Sequence, residues 1–137
     1  MSSSTAEFMQ RCLRLAEKAK QEGFFGVGSI VVKEGKVLAE GREGETILPS
    51  LLSHAESIAL VKAVDQYGKT YLEGSILYTN VEPCYMCSYL IRQLKIAKVY
   101  YLQTTPADGH SSSYPLLTAT DISAWKNSPE VFCIELF

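Results

Sequence analysis

Two short runs carry side chains able to do chemistry together. One is His54-Ala55-Glu56; the other, with its first cysteine thirty positions after the histidine, is Pro83-Cys84-Tyr85-Met86-Cys87. A cysteine pair at this spacing can be a redox couple, a disulfide, half of a structural zinc knot or part of a catalytic metal site. Both runs stand where apolar periodicity predicts a helix to begin. A helix N-terminus presents unpaired N–H groups and about half a positive charge. Two such ends converging on one point would lower the pKa of Cys84 and Cys87 and favour thiolates. Residues at i and i+3 share a helical face, so both sulfurs can reach one ion. Thiolates and a neutral imidazole are what Zn²⁺ takes, and His54, Cys84 and Cys87 would leave its fourth position open for water. Two anionic sulfurs weaken the metal as a Lewis acid, and the helix ends partly restore it. Glu56, two residues beyond His54, can reach that water without binding the metal and act as general base and acid.

The competing uses of the pair fit less well. A redox couple needs neither His54 nor Glu56. A structural zinc site needs a fourth ligand from Cys12, Cys133 or His110, none at helpful spacing. A disulfide conflicts with the reducing compartment argued below. The pair is therefore read as metal-binding.

The elements that position these residues follow from the pattern. Ser4 and Glu7 make a capping box, and Phe8, Met9, Cys12, Leu13, Ala16 and Ala19 recur at helical spacing, predicting a helix over 5–21. SIVVKEGKVLAEG predicts a hairpin turning at Glu34-Gly35. GREGETILPS has loop composition. Ser53 is the predicted cap of a second helix over 54–67. SILYTNV reads as a strand, 84–94 as a helix and KVYYL as a strand. Residues 103–113 have the composition of a rim loop. DISAWKN predicts a short helix, with Trp125 a packing residue, and VFCIELF a closing strand. The order describes a mixed sheet covered by helices on its faces, in one domain spanning 1–137.

Composition narrows the function classes. The chain has 137 residues, is 47% hydrophobic and 20% charged, and carries a net charge of −2. That balance is unlike the basic field of a general nucleic-acid binder. No run approaches the roughly 18 apolar residues of a membrane span, and the N-terminus does not resemble a secretory signal. The expected location is cytoplasmic, where thiols stay reduced. Cys12 and Cys133 lie in apolar-patterned segments and are expected to be small buried hydrophobes.

H-x-E followed by P-C-x-x-C is the signature of zinc nucleobase deaminases. The chain resembles the cytidine deaminase-like superfamily from about Gly26 to Leu102, through GVGSIVV, HAE and TNVEPCYMC. Within it the likeness is to the branch of tRNA adenosine deaminase, guanine deaminase and yeast-type cytosine deaminase. The resemblance implies a three-layer α/β/α sandwich around a mixed five-stranded sheet, usually a homodimer. It implies one zinc on His54, Cys84 and Cys87, with Glu56 shuttling protons. The implied reaction is hydrolytic deamination of a small nucleobase or nucleoside, held by backbone near Gly28 and from Val81 through Pro83 to Cys84. The alternatives are the same chemistry on tRNA, or a zinc-stabilised binding protein without turnover.

The departures from the family pattern concern substrate. Gly26 replaces a proline, and SLLS replaces the D-P-T-A stretch before the histidine. Glu43, in GREG, stands where relatives carry an asparagine that contacts base or sugar. Glu43 is therefore a candidate substrate contact; the other reading makes GREG an exposed turn. His110 is either a contact over the pocket mouth or a solvated loop histidine. Gly109 to Phe137 contains a single lysine, Lys126, where tRNA-acting relatives carry basic residues.

Overall fold

The computed structural model describes residues 3–105 and 107–136. The elements run α1 (Ser3–Gln21), β1 (Gly28–Lys33), β2 (Lys36–Arg42), α2 (Ala55–Tyr67), α3 (Lys69–Leu72), β3 (Ile76–Thr79), α4 (Tyr85–Gln93), β4 (Lys98–Tyr101) and β5 (Glu130–Cys133). The five strands form one sheet in the order β2-β1-β3-β4-β5. β1 is antiparallel to both β2 and β3, whereas β3, β4 and β5 are parallel. The chain reverses from β1 to β2 through Glu34 and Gly35, both at positive φ, as a two-residue hairpin requires.

Successive strand side chains point to opposite faces, and this divides the core in two. Ile30, Val32 and Tyr78 meet Met9 and Cys12 of α1 on one face. Val31, Leu77 and Val99 meet Ala59, Leu60 and Ala63 of α2 and Ile91 of α4 on the other. The result is an α/β/α sandwich. Two glycines allow the helices to approach. A Cβ at Gly28 would come within 2.3 Å of the Cys12 carbonyl oxygen, and one at Gly41 within 2.5 Å of the Ala55 carbonyl oxygen.

Several expectations are corrected. Helix α1 is already helical at Ser3, so Ser4 is not its cap. The cap of α2 is His54 rather than Ser53, because Ser50–Leu52 form a 3₁₀ turn ahead of it. DISAWKN is not a helix. It folds as a tight turn, with the Trp125 N–H donating to the Ile122 carbonyl and the Trp125 carbonyl taken by Arg92. Trp125 itself is half-buried, its Nε1 donating to Gln93 Oε1 and its ring set edge-on to Tyr89. β5 is shorter than VFCIELF. Cys133, expected to be buried, is exposed, because β5 is an edge strand with one flank open.

Candidate active site and metal centre

The carboxyl ends of β3 and β4 lie side by side, and the parallel pairing carries on past them as a Val81–Gln103 bridge. Crevices at such strand ends are where α/β sheets bind ligands. Both chemistry-bearing runs arrive here. His54 caps α2 and Cys84 caps α4, each with extended backbone. Cys87 is buried in the first turn of α4.

The ligand atoms of His54, Cys84 and Cys87 all lie within 4.8 Å of one another. Cys84 Sγ is 3.4 Å and Cys87 Sγ 3.7 Å from His54 Nδ1. Zinc bonds of about 2.0–2.3 Å at tetrahedral angles set ligand atoms roughly 3.5–3.8 Å apart. The donor set and its spacing therefore fit a tetrahedral zinc held through His54 Nδ1 and two sulfurs. Without metal the two thiols differ. Cys84 is brought down to about 4, chiefly by a hydrogen bond from the Cys87 thiol and also by His54 and the Cys87 backbone N–H. Cys87 is pushed well above the usual thiol range by Cys84 and by burial.

Glu56 is 5% exposed, on the first turn of α2. Its Oε1 lies 3.2 Å from Thr79 Oγ1 and 3.4 Å from Ser29 Oγ, hydroxyls of β3 and β1. Burial pushes its carboxyl up to about 7, with the Cys84 charge adding to the shift.

The cleft in front of these groups has a volume of about 250 Å³. Glu43 and Val81 line it, together with His54, Glu56 and Cys84. Glu43 Oε1 accepts a hydrogen bond from the Gly26 N–H at 2.8 Å. Gly28 faces α1 instead, Pro83 is buried at the turn before Cys84, and His110 Nδ1 pairs with Thr118 Oγ1 at 3.0 Å; none of these three lines the cleft.

Five further residues complete the walls: Val27 and Ala55, Glu82 of the Val81–Cys84 stretch, and Thr105 and Asp108 of the expected 103–113 rim loop. Asn80 positions Val27, since its side chain accepts from the Gly28 N–H at 2.8 Å and donates to the Gly26 carbonyl at 2.9 Å. The only signal for it was its place at a strand end, three residues ahead of Pro83.

Comparison with known proteins agrees with this geometry. Residues 2–103 match the cytidine and deoxycytidylate deaminase zinc-binding region. The chain is 37% identical over 94 residues to a tRNA-specific adenosine deaminase of Aquifex aeolicus, covering 69% of this chain and 62% of that one. It is 36% identical over 95 residues to a guanine deaminase of Bacillus subtilis, covering 69% of this chain and 61% of that protein. The matched region thus spans a little over three-fifths of the length of these two curated relatives. Among solved structures, a tRNA:A34 deaminase superposes with a TM-score of 0.81 at 26% identity, over 93% of this chain and 91% of the other. The Bacillus subtilis guanine deaminase superposes at 0.66 with 33% identity, over 76% and 66%. With His54, Cys84 and Cys87 gathered at one point and residues 2–103 matched to the zinc-binding region, this chain belongs to the cytidine and deoxycytidylate deaminase family.

Proposed function

We propose that the chain is a hydrolytic deaminase that replaces the exocyclic amine of a small aminated heterocycle, a free base or a nucleoside, with oxygen and releases ammonia. The observation that carries this reading is Glu56, a buried carboxylate lining the cleft beside three side chains whose spacing suits a zinc ion. Zinc in that site supplies a Lewis acid that makes water nucleophilic at neutral pH. Glu56 takes a proton from the attacking water and returns it to the departing amine, so the net change is water consumed and ammonia released. The hydroxyls of Thr79 and Ser29 hold its carboxylate toward the cleft. Burial of Glu56 suits the return step, because it raises the carboxyl's hold on the proton before delivery.

Size and charge of the cleft support a small substrate. Its volume of about 250 Å³ is below the roughly 300–1,000 Å³ of sites for larger ligands. Glu43, Glu56, Glu82 and Asp108 line it, with no lysine or arginine among the described lining residues. A phosphate-bearing ligand would meet carboxylates and no counter-charge. We read residues 1–137 as one domain, acting as a homodimer in the reducing cytoplasm, which suits a chain whose four cysteines form no disulfide. No helix among the described residues is long and apolar enough to cross a membrane.

A second reading, deamination of adenosine in tRNA, is favoured by the relatives named above. The scarcity of basic residues after Leu102, where Lys126 is the only lysine or arginine, speaks against it. Ammonia release from zinc-loaded protein with cytosine, guanine, adenine, their nucleosides and an anticodon stem-loop RNA separates the readings. Turnover of a free base or nucleoside is the expected result. Turnover of the RNA alone would install the second reading, and silence on every substrate would end both.

A further inference from the structure

The turn that supplies the zinc ligand Cys84 also carries a carboxylate that the chemistry above does not use. Glu82 is 2% exposed and has both oxygens occupied. Its Oε1 accepts from the Thr105 N–H at 2.7 Å and from Ser111 Oγ at 2.7 Å. Its Oε2 accepts from the Ser111 N–H at 3.0 Å. Its backbone takes part as well: the Glu82 carbonyl accepts from Thr105 Oγ1 at 3.1 Å, and its N–H donates to the Gln103 carbonyl at 2.8 Å. All the partners of the carboxylate are donors, which matches its purely accepting capacity.

These bonds gather Thr105 and Ser111 onto one side chain. The loop closes on itself through the Gly109 N–H and the Thr105 carbonyl, at 2.8 Å. Gly109 lies against the same carboxylate: a Cβ there would fall 2.2 Å from Glu82 Oε1 and 2.7 Å from the Thr105 carbonyl oxygen. This loop supplies Thr105 and Asp108, which form one wall of the cleft. The wall is therefore fastened two residues before Cys84, and His110 adds one bond to the tail through Thr118 Oγ1.

We infer that Glu82 is a positioning residue: it docks Thr105 and residues 107–111 against the zinc-bearing turn, so that the substrate wall and the metal site keep one register. The role in turnover rests on the deaminase reading. The docking itself does not, and it is measurable without a substrate. Charge-assisted hydrogen bonds to a buried carboxylate are among the stronger ones, and a buried donor left unpaired carries a further cost.

The experiment is hydrogen exchange by mass spectrometry on zinc-loaded wild type, Glu82→Gln and Gly109→Ala. In Glu82→Gln an amide NH₂ replaces one accepting oxygen, so one of the loop's donors loses its acceptor. Both variants should exchange about tenfold or more faster over 104–112, at zinc content and exchange in α2 and β3 like those of the wild type; each factor of ten corresponds to about 1.4 kcal/mol of local opening. With a turned-over substrate in hand, KM should rise more than kcat falls, because the lost wall binds the ring and Glu56 is untouched. Wild-type exchange over 104–112 in a folded Glu82→Gln protein overturns the inference. So does loss of zinc with the loop still protected, which would make Glu82 a support of Cys84 alone. Should Glu82→Gln fail to fold, Gly109→Ala decides by the same readings.

Discussion

Cys84 Sγ lies 3.4 Å from His54 Nδ1, and each of these residues is the N-cap of its helix. Two helix N-termini thus face one point, where their N–H groups and partial positive charge favour anionic sulfur. The first turns then add what the caps cannot reach: Cys87 from α4 and Glu56 from α2. This brings three soft or borderline donors and one hard carboxylate together, with His54, Cys84 and Glu56 lining the cleft and Cys87 buried behind them.

Zinc should bind at about one ion per chain, and replacing His54, Cys84 or Cys87 should abolish it. Affinity should rise with pH. In the metal-free protein Cys87 is held as a thiol and the His54 imidazole is raised in pKa by its hydrogen bond to Cys84, so binding must displace protons. Each displaced proton makes affinity about tenfold stronger per pH unit. Chelator competition at several pH values measures the slope; an affinity independent of pH would refute this ligand set.

Glu56→Gln should keep the metal and lose about 10²–10⁴-fold in kcat, the range of a general acid–base group. Near-wild-type turnover would assign the proton transfers elsewhere.

The same substitution should act oppositely on stability once zinc is removed. Burial raises the Glu56 carboxyl from 4.5 to about 7 in the folded chain. A folded value above the unfolded one means that stability is fully present below about 4.5 and is lost as pH rises toward 7. Metal-free Glu56→Gln lacks that loss, so its melting temperature should exceed wild type by several degrees at pH 8 and by little near pH 4.5. Equal melting temperatures at pH 8 would show that Glu56 is not held in this state.

Glu43→Asn should change which substrate is preferred. An ionised glutamate only accepts hydrogen bonds, whereas an asparagine both donates and accepts. Glu43 lines the cleft with one oxygen engaged by the Gly26 N–H, so a ring presenting an N–H, amino or hydroxyl group there is favoured over one presenting a carbonyl. The mismatch should cost roughly 1–3 kcal/mol, or about 5- to 150-fold in kcat/KM between two such rings. An unchanged ratio, at unchanged zinc content, would remove Glu43 from recognition.

Arg92→Met should destabilise the fold by roughly 2–4 kcal/mol, read from the urea midpoint. The buried Arg92 guanidinium donates to the carbonyls of Leu116, Leu117, Trp125 and Asn127, and the thioether leaves all four without this donor. Arg92→Lys should recover part of the loss, since an ammonium cannot span the whole fan. A neutral Arg92→Met would mean that the tail is held by other contacts.

The cluster of His54, Cys84 and Cys87 was legible in the chain because metal chemistry restricts residue type and helical geometry restricts spacing. His54 with Glu56 and Cys84 with Cys87 are local pairs, and each pair announces itself within one turn. The strands were legible for a similar reason, since alternation in GSIVVK and ILYT reports two buried faces. The walls of the cleft were legible only in part: 103–113 read as a rim loop and Glu43 and Val81 as candidate contacts, but what holds the walls in place did not show. Val27 on one side and Thr105 with Asp108 on the other come to it from two separate segments, held by Asn80 and Glu82 across 54 and 29 positions of chain at most. Nothing in the local composition of 103–113 or 116–127 foretells that a buried carboxylate and a buried guanidinium organise them. A polar side chain in a sequence reads as solvated; only the tertiary structure determines that it is buried, and burial compels it to find partners wherever the fold brings donors or acceptors within reach.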